Sequence, residues 1–165
     1  MSRSLIAEPL TAAAFAPFGQ VIQLAGAHHY PINAGMTERY HDLARIELGG
    51  ANARPLLSIF RGQPYALPHE FTLVERHPFG SQAFYPLSDR PFLVIVAPHA
   101  DGGPATPRAF LTTPHQGVNI AMNTWHGVLT PLGAVSDFLV IDRGGDGVNL
   151  EEFHYLMPWR VVAST

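Results

Sequence analysis

The chain contains no cysteine and no lysine. The first absence removes disulfides, thiolate nucleophiles and cysteine-type zinc sites from consideration. All ten basic residues are therefore arginines, scattered singly against thirteen acids for a formal net charge of −3. Without a basic block or stripe, a nucleic-acid-binding surface has no electrostatic footprint. Long apolar runs are missing too. No window approaches the roughly 18 apolar residues that a membrane-spanning helix requires. The early run Ala12 to Phe18 is broken by Pro17, which argues against a signal peptide. A cytoplasmic protein with no membrane partner is expected. There is no Walker loop, no dinucleotide fingerprint behind a strand and no Gly-x-Ser-x-Gly elbow. No nucleotide cofactor and no serine hydrolase of that design is expected.

What the chain does have is turn formers. The 165 residues include 15 Gly and 15 Pro, which argues for many short elements separated by turns. One domain, residues 1–165, is expected from length alone. Thr11 reads as the N-cap of a short helix over Ala12 to Phe15, ended by Pro17 and Gly19. Everything after it reads as strand: Gln20 to Leu24, Ala44 to Leu48, Pro55 to Arg61, Glu70 to Glu75, Phe92 to Ala97, Arg108 to Thr112, Val118 to Met122, His126 to Leu132 and Val135 to Asp142. Many short strands without helical periods predict a sandwich or small barrel. The unbroken apolar run Phe92 to Ala97 predicts a strand covered on both faces. The aromatic-rich segment Glu151 to Thr165 should pack on the barrel or on a neighbouring chain.

Chemistry concentrates in Glu75 to Leu87, ERHPFGSQAFYPL. Glu75 and His77 stand two apart, so on a strand both side chains leave the same face. A turn at Pro78-Phe79-Gly80 returns the chain, and Gln82 then shares a face with Phe84 and Pro86. A carboxylate, an imidazole and an amide aimed at one point can hold a divalent cation or a polar substrate. His126, beside Trp125 in a distant strand, is the candidate that closes such a site. Read bottom-up, the same residues would also serve as a buried hydrogen-bond network with no catalytic role.

Elsewhere, Asn33 to Asp42 crowds an amide, two acids, Arg39, Tyr40 and His41 into ten residues, either a solvated loop or a ligand-binding segment. With Gly26 and Gly35 as pivots, Ala25 to Tyr40 is a candidate lid. Arg61 closes an apolar strand, and its planar fork suits a carboxylate. Asp142 to Gly147 fails as a calcium loop, because Gly144 and Phe153 stand where oxygen ligands belong, and Asp142 and Arg143 are expected near a rim. His28, His29, His99, His115 and His154 have no ligand spacing and read as surface residues.

Several of these motifs, in order, resemble the ureidoglycolate lyase family: Ile32-Asn33-x-Gly35, Glu38-Arg39-Tyr40-His41-Asp42-Leu43, Glu75-Arg76-His77-Pro78-x-Gly80-x-Gln82-Ala83-Phe84, Gly117-Val118-Asn119, Trp125-His126 and Asp137 to Gly145. The resemblance implies a mainly β, cupin-like barrel (a double-stranded β-helix) with a short N-terminal helix, assembled as a homodimer. It implies a lyase of allantoin catabolism that splits a small-molecule substrate, ureidoglycolate, into glyoxylate and urea. Glu75, His77 and His126 would be catalytic; Arg39, Tyr40, Arg61, Gln82 and Arg143 would bind substrate. Glu75, His77, Gln82 and His126 would occupy the cupin metal positions around a divalent ion, nickel or similar. Two competing activities follow from the same scaffold: an amidohydrolase that releases ammonia, and a metal-dependent isomerase or oxygenase. A neutral Gln82 in place of a carboxylate weighs against the last.

Overall fold

The computed structural model describes residues 3–164. In chain order the elements are β1 (Arg3–Ile6), β2 (Glu8–Pro9), α1 (Ala12–Phe15), β3 (Gly19–Ile22), β4 (His29–Ile32), β5 (Thr37–Tyr40), β6 (Arg54–Gly62), β7 (His69–Arg76), β8 (Gln82–Pro86), β9 (Phe92–Ala97), β10 (His99–Ala100), β11 (Gly103–Pro104), β12 (Arg108–Leu111), β13 (Gly117–Ile120), β14 (Trp125–His126), β15 (Thr130–Pro131), β16 (Ser136–Gly144) and β17 (Glu151–Val162). Two sheets carry the architecture. One is eight-stranded, in the order β1-β17-β7-β14-β9-β12-β2 with β15 also on β9. The other is five-stranded, in the order β3-β13-β8-β16-β6.

The expected helix forms where the cap predicts it: the Thr11 side chain accepts from Ala14 N at 3.2 Å. The strand β9 is also as expected, with all six residues buried. Its Phe92, Val94 and Val96 enter the main core between the sheets, with Phe84, Phe110, Val118, Phe138 and Val140, while Phe15 and Phe18 close one end. Its Leu93 and Ile95 point the other way, onto Ala7, Leu132 and Val161. Each such side chain contributes about 1.5–3 kcal/mol on leaving water, so β9 holds the layers together.

Two expected strands differ. Ala44 to Leu48 forms no strand: it bends at Ala44 and makes only the isolated bridge Leu48↔Gly80. Its backbone is satisfied by side chains instead: Gln20 Oε1 accepts from Arg45 N and Ser81 Oγ from Glu47 N. The run His126 to Leu132 is split. Trp125↔Ala97 and His126↔Val96 pair first, then Thr130↔Leu93 and Pro131↔Phe92. From 126 to 130 is four residues against three from 96 to 93, so a one-residue bulge lies between. The C-terminal segment is a twelve-residue strand packed on β7 and, in parallel, on β1. Its register slips between His154 and Trp159, where Pro158 has no N–H to donate, leaving Leu156 wholly exposed.

Phe138 is 1% exposed and meets Phe92 edge-on at 5.0 Å. Phe138→Ala should lower unfolding free energy by about 3–5 kcal/mol in a urea titration. His154→Ala, on the exposed β17 surface, should change it by less than about 0.5 kcal/mol.

Candidate active site

The split strand is what brings the chemistry together. The two residues of β14 pair on one side with β9 and on the other with β7, where His126 stands directly opposite Glu75. Across the barrel, Gln82 opens β8, and Asp142 on β16 follows the Ile141↔Ala83 pair. One donor atom each from Glu75, His77 and His126 falls within 4.8 Å of the others. His77 Nε2 lies 3.9 Å from Glu75 Oε1 and 3.2 Å from Gln82 Oε1, and the two imidazole rings are 5.2 Å apart.

Hydrogen-bond chemistry fixes the orientation of each group. The Asn149 carbonyl, 2.8 Å from His77 Nδ1, can only accept, so Nδ1 carries a proton and Nε2 faces the cluster. Gln82 Nε2 donates to the Asp142 carboxylate at 3.3 Å, which turns the Gln82 carbonyl oxygen toward His77. That oxygen accepts from His77 Nε2 at 3.2 Å whenever Nε2 carries a proton. Likewise His126 Nδ1 donates to the Gly127 carbonyl at 2.9 Å, and its Nε2 is buried with no partner. An unpartnered buried acceptor costs about 1–3 kcal/mol. Two imidazoles, an amide oxygen and a carboxylate converging on one point are a donor set that fits a divalent cation.

Electrostatics separate the roles. Burial pushes the Glu75 carboxyl above its usual range, Glu152 adds repulsion, and His77 pulls it partly back. The fully buried His126 is lowered to about 4, chiefly by desolvation, with His77 acting in the same direction and the bond to Gly127 opposing. It is therefore neutral at pH 7.

Glu75, Gln82 and His126 line a cavity of about 480 Å³ together with Phe60, Tyr65 and Phe84. His77 reaches the cluster from beside this cavity. A larger open concavity of about 720 Å³ lies at α1 and β3, lined by residues including Gln20, His28 and His41. It contains none of the cluster, so the smaller cavity is the candidate site.

Of the three expected arginines, only Arg61 reaches this cavity. Arg61 stands at the rim, bonded in a fork to Asp137 at 2.8 and 3.0 Å. Arg143, expected at a rim, is 6% exposed and donates to the Gly49 and Ala51 carbonyls. The turn around Gly145 wraps its guanidinium, which is why it is unavailable to a substrate. Arg39 and Tyr40 lie on the β4–β5 hairpin, away from the cavity walls, with Arg39 over the Tyr30 ring and Tyr40 stacked on His29. Sequence reasoning missed Asn149, whose backbone carbonyl orients His77 and whose side chain accepts from Phe79 N at 2.8 Å. A backbone acceptor leaves no signal in residue type. Asp142 was visible, but its role on Gln82 was not.

A two-sheet barrel whose interior converges imidazole, carboxylate and amide groups at one end defines a cupin-like protein with a polar site. Within that class the sequence model described as ureidoglycolate lyase matches residues 2–162, and the chain belongs to the ureidoglycolate lyase family. It is 60% identical over 159 residues to a ureidoglycolate lyase of Chelativorans sp. (strain BNC1), covering 96% of each chain. It is 63% identical over 157 residues to one of Mesorhizobium japonicum, covering 95% of this chain and 96% of the relative. Among solved structures, a dTDP sugar isomerase from Desulfovibrio desulfuricans G20 aligns over 81% of this chain and 82% of that one, with a TM-score of 0.47 and 13% identity.

The depressed His126 predicts a pH effect in chelated protein. Its folded value lies below the unfolded one near 6.5, so the unfolded state binds the extra proton first. Stability is lost as pH falls from about 6.5 to about 4, by roughly 3 kcal/mol in total. Glu75, raised on folding, works in the opposite direction. Urea titrations at pH 7, 5 and 4 should show a shallower acid loss in His126→Gln than in the wild type; equal slopes would contradict the assignment.

Proposed function

We propose that this protein cleaves ureidoglycolate to glyoxylate and urea in allantoin catabolism. The carrying observation is the donor cluster of Glu75, His77 and His126 within 4.8 Å at the wall of a cavity sized for a small molecule. Family membership supports the same reading.

The substrate carries a hydroxyl, a carboxylate and a urea nitrogen on one carbon. Cleavage needs the hydroxyl proton removed as the carbon–oxygen double bond forms. The carbon–nitrogen bond breaks with its electron pair leaving on nitrogen, and a proton delivered there makes neutral urea. No water enters, which separates this route from an amidohydrolase. Glu75 is the base in this reading: its raised pKa makes the carboxylate a better proton acceptor than an exposed one, and makes the acid form available to return the proton to nitrogen. His126, neutral at pH 7, and His77 each have Nδ1–H held by a backbone carbonyl, which fixes the direction of Nε2, and Asp142 keeps the Gln82 amide turned toward them. Phe60 and Phe84 exclude water from one wall.

Glu75, His77, Gln82 and His126 would hold a divalent ion, nickel or similar. When bound, such an ion withdraws charge from the substrate oxygens and lowers the hydroxyl pKa. In this reading the enzyme works as a homodimer, supported by the outer face of β6, where Leu57 is 72% and Ile59 63% exposed beside Leu139 and Ile141 of β16. Apolar residues side by side on a sheet surface are the usual mark of a protein contact.

Purified protein given ureidoglycolate should release glyoxylate and urea without ammonia. Chelation should lower the rate and added nickel restore it. Glu75→Gln should reduce kcat by about a hundred- to ten-thousandfold with an unchanged far-UV spectrum. Ammonia as the first nitrogen product would replace the lyase with an amidohydrolase.

A further inference from the structure

The β4–β5 hairpin has no partner in its own chain. Among the described residues the two strands pair only with each other, and a two-stranded hairpin alone in water is marginally stable. The contacts that hold it are its own: His29 to Glu38 at 2.6 Å, His29 stacked on Tyr40 at 5.1 Å, and Arg39 over Tyr30 at 6.0 Å. Beyond it, at Met36, a large apolar side chain is 85% exposed. The arm presents aromatic and apolar groups and one arginine with no carboxylate partner.

The cavity has the complementary deficits. It contains Glu75 and has Arg61 at its rim, but the fork of Arg61 already grips Asp137. Among the cavity-lining residues a substrate carboxylate therefore meets only this guanidinium, which it would share with Asp137. Along the mouth runs β6, whose outer edge is unpaired among the described residues. Phe60 and Gly62 of that strand line the cavity, while Leu57 and Ile59 stand exposed on the outer face of the same strand, across its unpaired edge.

In its own chain the arm does not cover this strip: no residue of β4 or β5 lines the cavity, and β4 follows β3, the edge of the sheet opposite β6. A second copy related by a two-fold axis satisfies both deficits at once, because each copy offers an arm and a strip.

We infer that the β4–β5 arm of one copy docks along the unpaired edge of β6 in a second copy, seats Tyr30 and Met36 against Leu57 and Ile59 on the outer face, and brings Arg39 across that edge to the substrate's carboxylate at the cavity mouth. Each active site is then shared between two chains. The inference rests on the lyase reading for the role of Arg39, but not for the docking itself.

Two experiments separate these parts. In the first, Arg39→Ala and His126→Ala are purified, confirmed to be dimers, and mixed under conditions that exchange subunits. Arg39→Ala alone should lose about ten- to a hundredfold in kcat/KM, the scale of a charge-assisted carboxylate contact. In a mixed dimer one of the two sites combines an intact cavity with an intact arm. Equal mixing should thus restore about a quarter of the wild-type rate. Two inactive variants that stay inactive when exchanged would mean that the arm serves its own chain, and the inference falls. It falls equally if Arg39→Ala keeps full activity while Arg61→Ala loses it.

The second experiment does not use activity, so it stands even if the wild type fails to turn over ureidoglycolate. Because the chain has no cysteine, Met36→Cys can be labelled uniquely with a benzophenone maleimide. After exchange between 15N-labelled and unlabelled protein, photolysis should give heavy–light cross-links to peptides spanning residues 54–62. Cross-links confined to one chain, or to another surface of the second copy, would overturn the docking.

Discussion

The Asn149 carbonyl and the Asp142 carboxylate can only accept hydrogen bonds, and the state of the site follows from that constraint. One claims the Nδ1–H of His77, the other the amide N–H of Gln82. Both groups are left facing inward, with Glu75 and the unpartnered Nε2 of His126. Such a cluster is shaped to hold a cation or a small substrate that brings a hydroxyl to it. The orienting groups are therefore as much a part of the site as the side chains that face the cavity.

The barrel exists to hold that cluster in register. A buried central strand, β9, packs against both core layers and serves as the template on which β14 and β15 pair. The bulge between those two short strands frees the Gly127 carbonyl to accept from His126. The same strand keeps the imidazole so far from water that it is neutral well below pH 7. Rigidity, proton placement and pKa thus have one structural source.

The cations near the mouth are already engaged: Arg143 is locked among backbone carbonyls, and Arg61, on the cavity wall, is bound to Asp137. An unsupported arm carrying a third arginine, and an exposed apolar strip on the outer face of β6, are the features that the inferred pairing of two chains would join.

The sequence alone determined the class of fold and the identity of most of the cluster. Capping at Thr11, the apolar run of β9 and the period-two placement of Glu75 and His77 are local properties, set by residues within a few positions of one another. Gln82 was equally legible, because a turn of three residues brings it back. His126 could be named from residue type and resemblance, but its opposition to Glu75 depends on a strand pairing across distant parts of the chain. Ala44 to Leu48 alternates like a strand, yet side chains of Gln20 and Ser81 capture its backbone. The fate of each arginine was also beyond the sequence, since a guanidinium looks the same whether it will meet Asp137, two backbone carbonyls or a substrate. Local patterning chose the elements; long-range pairing and burial decided which polar groups were left without partners, because satisfaction of a hydrogen bond is a property of two places in space rather than of one place in the chain.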